Sequence, residues 1–229
     1  MFFPVLFALT YQTNFTNCPV KSVGNLSLEL VAEFEKKRSL YQLKKMILNQ
    51  GLDQKYFIES YEIEHDWGQD KLKLDFWCPK VIMLAQIYKE DMADYYSALL
   101  VDNGKLYDPV YADLLKEENK LVEELPFLSI PVSYLDGAKQ LEIARLYNYM
   151  NLDLKKEIAE IVLTGEGELV FIVSHLGESI TVYMGKENWD EGVIKLSKII
   201  SFLEKKESIP SIISLRNLKK VVVKFDTKS

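Results

Sequence analysis

Two short runs of strict alternation, set apart by a three-residue turn, constrain this chain more than any other feature. Tyr61, Ile63, His65 and Trp67 alternate with Ser60, Glu62, Glu64 and Asp66, and Leu72, Leu74 and Phe76 alternate with Lys71, Lys73 and Asp75. Side chains two apart along a strand share a face, so each run has one apolar and one polar side. Gly68-Gln69-Asp70 supplies the turn, and Pro79 ends the second run. The pair predicts an antiparallel hairpin with one buried and one wetted face.

The residues before the hairpin complete a small unit. Pro19–Val23 reads as a short strand and Gly24-Asn25 as a turn. Leu26, Leu30, Val31 and Phe34 recur within Leu26–Lys37 at a spacing that suits a helix, with a strand as the alternative. Ser39 with Gln42 three residues on is a capping-box start, Leu40, Leu43 and Ile47 follow at helical spacing, and Gly51 stops that helix. The expected order is strand, helix, helix, strand, strand, an α+β unit over 18–88.

Residues 97–226 read as a second unit. Tyr88–Tyr96, with Glu90, Asp91 and Asp94, reads as the junction. Ala98–Val101 is a strand with Asp102-Asn103-Gly104 as its turn and Leu106-Tyr107 returning from it. Asp113–Glu124 is charge-rich and reads as a solvated helix or loop, and Leu125–Leu128 as an apolar plug. Asp136 caps a helix carrying Ile143, Leu146, Tyr147 and Met150 on one face. Glu157–Thr164 is a strand, and Glu168–His175 with Ser179–Met184 forms a hairpin. Asn188 with Glu191 caps a helix over Asn188–Lys206, whose Trp189, Val193, Leu196, Ile200 and Leu203 make one stripe. The whole predicts helices layered on a sheet of antiparallel strands.

The chain ends in Ile212–Leu215 and Val221–Phe225, two apolar runs flanking the polar turn Arg216–Lys220. A chain that closes on a strand places it at a sheet edge unless something covers it, and an uncovered edge offers unpaired N–H and C=O groups, a hazard or a binding site; an ordinary closing hairpin is the alternative reading of this stretch. Val221, Val223 and Phe225 share one face, expected to pack inward, and Val222, Lys224 and Asp226 share the other.

Net charge is −6 over 229 residues, so no global basic field points to nucleic acid. Locally the balance reverses. From Glu204 to Ser229 there are seven bases (Lys205, Lys206, Arg216, Lys219, Lys220, Lys224, Lys228) against three acids (Glu204, Glu207, Asp226), as at a strand edge guarded by lysine. Cys18 and Cys78 can pair or stay free. Phe2–Leu9 is an apolar run with no charge before it, too short to span a bilayer. It reads as a buried N-terminal segment or as the end of a membrane anchor, and 1–17 is set apart on that ground.

Residue patterns of catalysis are sparse. His65 sits on an alternating strand face and reads as a packed histidine, and neither it nor His175 has metal-ligand spacing to a cysteine. Gly165-Glu166-Gly167 lacks the Lys-Ser/Thr of a phosphate loop. Tyr95, Tyr96, Tyr147 and Tyr149 lack interleaved bases, so they form no stacking platform for single strands. No catalytic residue, metal or cofactor is assigned.

Six motifs, in order, give the chain a resemblance. Pro19–Asn25 looks like an opening strand and Gly-Asn turn, and Phe57–Trp67 with Asp70–Leu74 like a signature hairpin. Pro79-Lys80-Val81, Leu100-Val101-Asp102-Asn103-Gly104, Leu125-Pro126-Phe127-Leu128 and Ser214-Leu215-Arg216 complete the set. From about Pro19 to Asp226 the chain resembles the bacterial cell-division proteins FtsQ, also called DivIB. It departs from them in Phe57 for tryptophan, Gly68 for proline, Ser214 for aspartate and Asn217 for tyrosine. The resemblance implies a POTRA domain followed by a β domain, on the outer side of the inner membrane, held by a single-pass anchor that is truncated or absent here. It implies a non-enzymatic divisome scaffold that binds FtsB and FtsL at its last strand through Arg216, Asn217, Val221, Val222, Val223, Lys224 and Phe225. Two other readings stay open at this point: a POTRA-bearing secretion or outer-membrane assembly component, and an enzyme whose site is built from scattered acids.

Overall fold

The computed structural model describes residues 9–89, 95–121, 124–203 and 209–225. Phe2–Phe7 and Ala8, the acids Glu90, Asp91 and Asp94, residues 204–208 and 226–229 lie outside the described residues. The chain is α+β and divides into two units, Met1–Lys80 with Val110–Val122, and Val81–Pro109 with Glu123–Ser229.

The first unit runs β1 (Thr10–Thr16), α1 (Val20–Lys37), α2 (Leu40–Leu48), a short α3 (Leu52–Tyr56), β2 (Ser60–Asp66) and β3 (Lys71–Trp77), then takes up α4 (Val110–Glu117). Its sheet has the order β1-β3-β2, with the expected hairpin β2–β3 antiparallel and β1 parallel to β3. Leu72, Leu74 and Phe76 are buried, as the alternation requires. His65 packs 4.7 Å from the Phe34 ring, and its Nε2 lies 3.0 Å from Asp70 Oδ1.

The opening strand is a correction. Pro19–Val23 is not a strand: Pro19 is the N-cap of α1, which runs through Gly24-Asn25 without a break. The buried stripe Val23, Leu26, Leu30, Val31 and Phe34 reaches back past the glycine, and its burial outweighs the roughly 1 kcal/mol that an interior glycine costs. The strand that completes the order is Thr10–Thr16, in the segment read from sequence as part of 1–17.

Cys18 and Cys78 form a disulfide with Cα atoms 4.9 Å apart, just beyond the last register pair of β1 and β3, Thr16 with Trp77. The stretch Asp113–Glu124 is more than a solvated segment. Tyr111 of α4 is fully buried, and its hydroxyl donates to the carbonyl of Pro79 at 2.7 Å. Past the helix, Glu118 accepts the backbone N–H groups of Val20 and Lys21, both at 2.8 Å. The proline N-cap offers no side-chain cap, so a carboxylate borrowed from almost a hundred residues away satisfies the helix start. Burial pushes the Glu118 carboxyl up, but the Lys21 and Val20 N–H groups and the Lys120 ammonium outweigh it and hold it below its ordinary 4.5.

A depressed carboxylate stabilises the fold above its unfolded value, and the contribution is lost as pH falls through the lower folded value. Glu118→Gln is therefore expected to melt below the parent at neutral pH, with the gap closing in acid. Thermal melts across pH check this; a gap that persists in acid would mean that Glu118 acts by packing alone.

The second unit holds one large sheet. Its strands are β4 (Val81–Tyr88), β5 (Tyr95–Val101), β6 (Leu106–Tyr107), β7 (Phe127–Pro131), β8 (Ile158–Leu163), β9 (Leu169–His175), β10 (Glu178–Gly185), β11 (Ile212–Ser214) and β12 (Val222–Lys224). They are ordered β12-β11-β10-β9-β8-β7-β4-β5-β6. The expectation of antiparallel strands holds for five pairings; β4–β7, β7–β8 and β10–β11 are parallel. β4, expected at the end of the first unit, pairs with β5 and β7 in this sheet, and the apolar plug is the entry to β7. Gly104 sits at φ +82 with Leu141 Cα only 2.5 Å from where a Cβ would stand, so the β5–β6 turn needs glycine twice over.

Helices α5 (Ala138–Tyr149), α6 (Leu152–Glu157) and α7 (Trp189–Leu203) bury their stripes in one core with Ile161, Phe171, Ile180, Val182 and Ile213. The N-cap of α5 is Gly137 at φ +81 rather than the expected Asp136, whose carboxylate stands one residue earlier and accepts Ala138 N–H at 2.9 Å. Leu196 is fully buried, and Leu196→Ala is expected to cost about 2–5 kcal/mol. A loss under about 0.5 kcal/mol in denaturant melts would place the stripe in solvent.

Candidate functional site

The residues singled out from the sequence converge at the end of the large sheet. β10 and β11 run parallel, with Thr181 to Tyr183 beside Ile212 to Ser214, and β12 folds back antiparallel on β11. Among the described residues β12 pairs with β11 alone, so it is the edge.

Backbone direction along β12 follows from one bond. The Lys224 carbonyl accepts Ser211 N–H at 3.0 Å, so the peptide groups of Lys224 face inward. In an antiparallel ladder residues alternate in facing the partner strand and facing away. Val222, opposite Ser214, thus faces inward with Lys224, and the N–H and C=O of Val223 point to the open side.

The side chains differ from expectation. Val221, Val223 and Phe225 do not pack inward: they are 39%, 39% and 47% exposed, and Val222 on the other face is 52% exposed. All three residues of β12 are exposed, so among the described residues neither face of the strand is covered. This stretch presents four large apolar side chains beside Lys224 to solvent.

The turn leading into β12 is built differently from the sequence reading as well. Arg216 is not free to await a carboxylate. Its Nε donates to Glu168 Oε1 and its Nη2 to Glu168 Oε2 at 2.6 Å, a two-point pair, and its guanidinium lies 4.4 Å from the centre of the Tyr183 ring. The Glu168 carboxylate holds Arg216 above its ordinary value. Asn217 shapes the turn: its Oδ1 accepts Lys219 N–H at 2.9 Å and its carbonyl accepts Lys220 N–H at 2.9 Å. Neither Glu168 nor Tyr183 was singled out from the sequence, since only the β9-β10-β11 order brings them to Arg216. Lys195 of α7 donates to the Leu218 carbonyl and lies 3.4 Å from Glu191, tying the turn to the helix.

These groups line a cleft of about 1060 Å³ that includes Glu168, Asn188, Glu191, Lys195, Arg216 and Asn217. Four of its charged side chains are paired, Arg216 with Glu168 and Lys195 with Glu191, and Glu166, Lys186, Glu187 and Lys219 also line it. The second histidine lies elsewhere: His175 is buried with Nδ1 2.8 Å from Glu157 Oε1. Among the described residues no group of three His, Cys, Asp or Glu could hold a metal ion, and no helix is long and apolar enough to cross a membrane.

No family model and no curated protein matches the chain. Among solved structures it is similar to the major extracytoplasmic domain of the trans isomer of the bacterial cell division protein DivIB from Geobacillus stearothermophilus. The two are 18% identical with a TM-score of 0.31, over 56% of this chain and 97% of that one. At those values neither the fold nor the role of that domain is transferred to this chain.

Proposed function

We propose that this chain is a scaffold of the bacterial division machinery rather than a catalyst, and that it captures an extended segment of an FtsB- or FtsL-like partner along β12. The observation that carries the proposal is the edge itself: an open strand with Val221, Val222, Val223 and Phe225 all solvent-exposed. An isolated domain has no use for that concentration of apolar side chains on an unpaired strand, whereas a strand-adding partner uses both the peptide groups and the side chains.

Three further points support the reading. The elements of the first unit run β-α-α-α-β-β, the β-α-α-β-β order that the resemblance implies for a POTRA domain with the short α3 added before the hairpin and Thr10–Thr16 as its first strand. The Leu-Val-Asp-Asn-Gly and Ser-Leu-Arg motifs fall at turns that the second unit's sheet depends on. The Cys18–Cys78 disulfide suits an oxidising compartment, and so an extracytoplasmic position for domains that an anchor would hold at the inner membrane. In this reading Asn217 offers no aromatic ring, and Arg216 stiffens the turn instead of reaching across. Affinity then comes from the main chain of β12, from its apolar side chains and from Lys219, Lys220 and Lys224.

The test is a calorimetric titration of the chain with the extracytoplasmic segments of FtsB- and FtsL-like proteins from the same cell. Saturable binding that protects the Val221–Phe225 amides from hydrogen exchange is expected. Binding that leaves those amides unprotected would overturn the assignment to this edge.

A further inference from the structure

Helix α2 carries a second surface that the edge strand does not explain. Ser39 caps it, its hydroxyl accepting Gln42 N–H, and Leu43 and Ile47 bury its inner side completely. Residues 41, 44, 45 and 48 are spaced i, i+3, i+4 and i+7, so they share one face, turned away from Leu43 and Ile47. That face is Tyr41, Lys44, Lys45 and Leu48. Tyr41 and Leu48 are each 76% exposed, the highest values among the described large hydrophobics.

Charge sets the stretch apart. From Lys36 to Leu48 there are five bases, Lys36, Lys37, Arg38, Lys44 and Lys45, and no acid, in a chain whose net charge is −6. Lys37 pairs with Glu33 and Arg38 with Asp70. Lys36, Lys44 and Lys45 have no ion-pair partner among the described residues. Glu35 stands directly before the run, and only acids farther off than a Debye length, about 10 Å at about 0.1 M salt, are screened from it.

We infer that the outer face of α2 seats on the surface of an anionic phospholipid bilayer. The form of the ridge favours a bilayer over a protein. Tyr41 and Leu48 stand about 10 Å apart along a convex helix, which a protein partner would have to meet with two separate pockets. The interfacial region of a membrane takes such side chains without preformed pockets, tyrosine above all, while flanking lysines reach the headgroup phosphates with stems that lie on apolar surface.

The experiment is co-sedimentation of the full chain with vesicles of phosphatidylglycerol and phosphatidylcholine, and with phosphatidylcholine alone. Binding to the anionic vesicles at about 0.1 M salt is expected, with release at about 1 M, where the Debye length falls to about 3 Å. Each lysine removed near such a surface costs about fivefold in partition, so Lys44→Gln with Lys45→Gln is expected to cost about 25-fold. The charge-matched control Lys105→Gln with Lys156→Gln should bind as the parent does. Tyr41→Ser with Leu48→Ser should weaken binding while leaving its salt dependence intact. All four target side chains are solvent-facing, so melting curves should coincide with the parent's. Three results would overturn the inference. They are no preference for anionic vesicles, equal losses in the α2 and control pairs, and equally strong capture of soluble polyglutamate that ignores the Tyr41 and Leu48 changes.

Discussion

A chain with both Cys18→Ser and Cys78→Ser is expected to lose about 4 kcal/mol of stability in its first unit. The bridge spans 60 residues, and opening it returns the loop-closure entropy of that length to the unfolded chain. The site adds to the loss, because both cysteines are buried, 0% and 3% exposed, and serine would bring a hydroxyl into each place. The local consequence falls on β1. It is a polar outer strand, joined to the sheet by β3 alone, and its pairing ends where the bridge begins, with Cys78 N–H donating to the Thr16 carbonyl at 3.0 Å. Hydrogen exchange should therefore show the Thr10–Thr16 amides opening first in the variant. A shift under about 1 kcal/mol in urea melts, with β1 still protected, would mean that the Tyr111 and Glu118 contacts hold the strand without the bridge.

Elements with a strong period were legible in the sequence. The alternation of Tyr61–His65 and Leu72–Phe76 and the stripe from Trp189 to Leu203 each require one geometry, and the structure has it, whereas Trp67, expected on the buried face, falls beyond β2 and is 67% exposed. What was not legible depends on distant partners. Thr10–Thr16 sets Tyr11 and Phe15 among polar residues without a long apolar alternation, and its pairing with β3, with Phe15 stacked on Phe76, makes it a strand. Gly24 signalled a turn, but a local signal worth about 1 kcal/mol loses to six buried positions on α1. Glu118 looked like one acid in a solvated run, since nothing local shows that Pro19 leaves α1 uncapped. At the candidate site the two apolar runs flanking Arg216–Lys220 were legible as strands. The exposure of both faces of the second was not, because alternation alone does not say what packs against a strand. The pairing of Arg216 with Glu168 across 48 residues likewise had no signal in sequence.

The edge makes the sharper test of function, because two neighbouring residues on it should respond in opposite ways. Val223 N–H points to the open side, so Val223→Pro removes a donor that the sheet does not use, and proline is tolerated on edge strands for that reason. Val222 N–H faces Ser214, so Val222→Pro removes a bond that holds β12 to β11. The first variant is expected to melt as the parent does and to bind the partner segment about tenfold or more weakly. That loss reflects one missing main-chain bond of about 1.5 kcal/mol and the ring that takes its place. The second is expected to free β12 from β11, which stays paired with β10, and so to lower stability and binding together. Changing both apolar faces at once, with Val222→Thr and Val223→Thr, keeps the peptide groups and should weaken binding less than Val223→Pro if the main chain supplies most of the affinity. Unchanged partner binding by a Val223→Pro chain that still melts cooperatively would sink strand addition at this edge. Loss of binding in the threonine pair alone would leave a side-chain patch with no role for the strand.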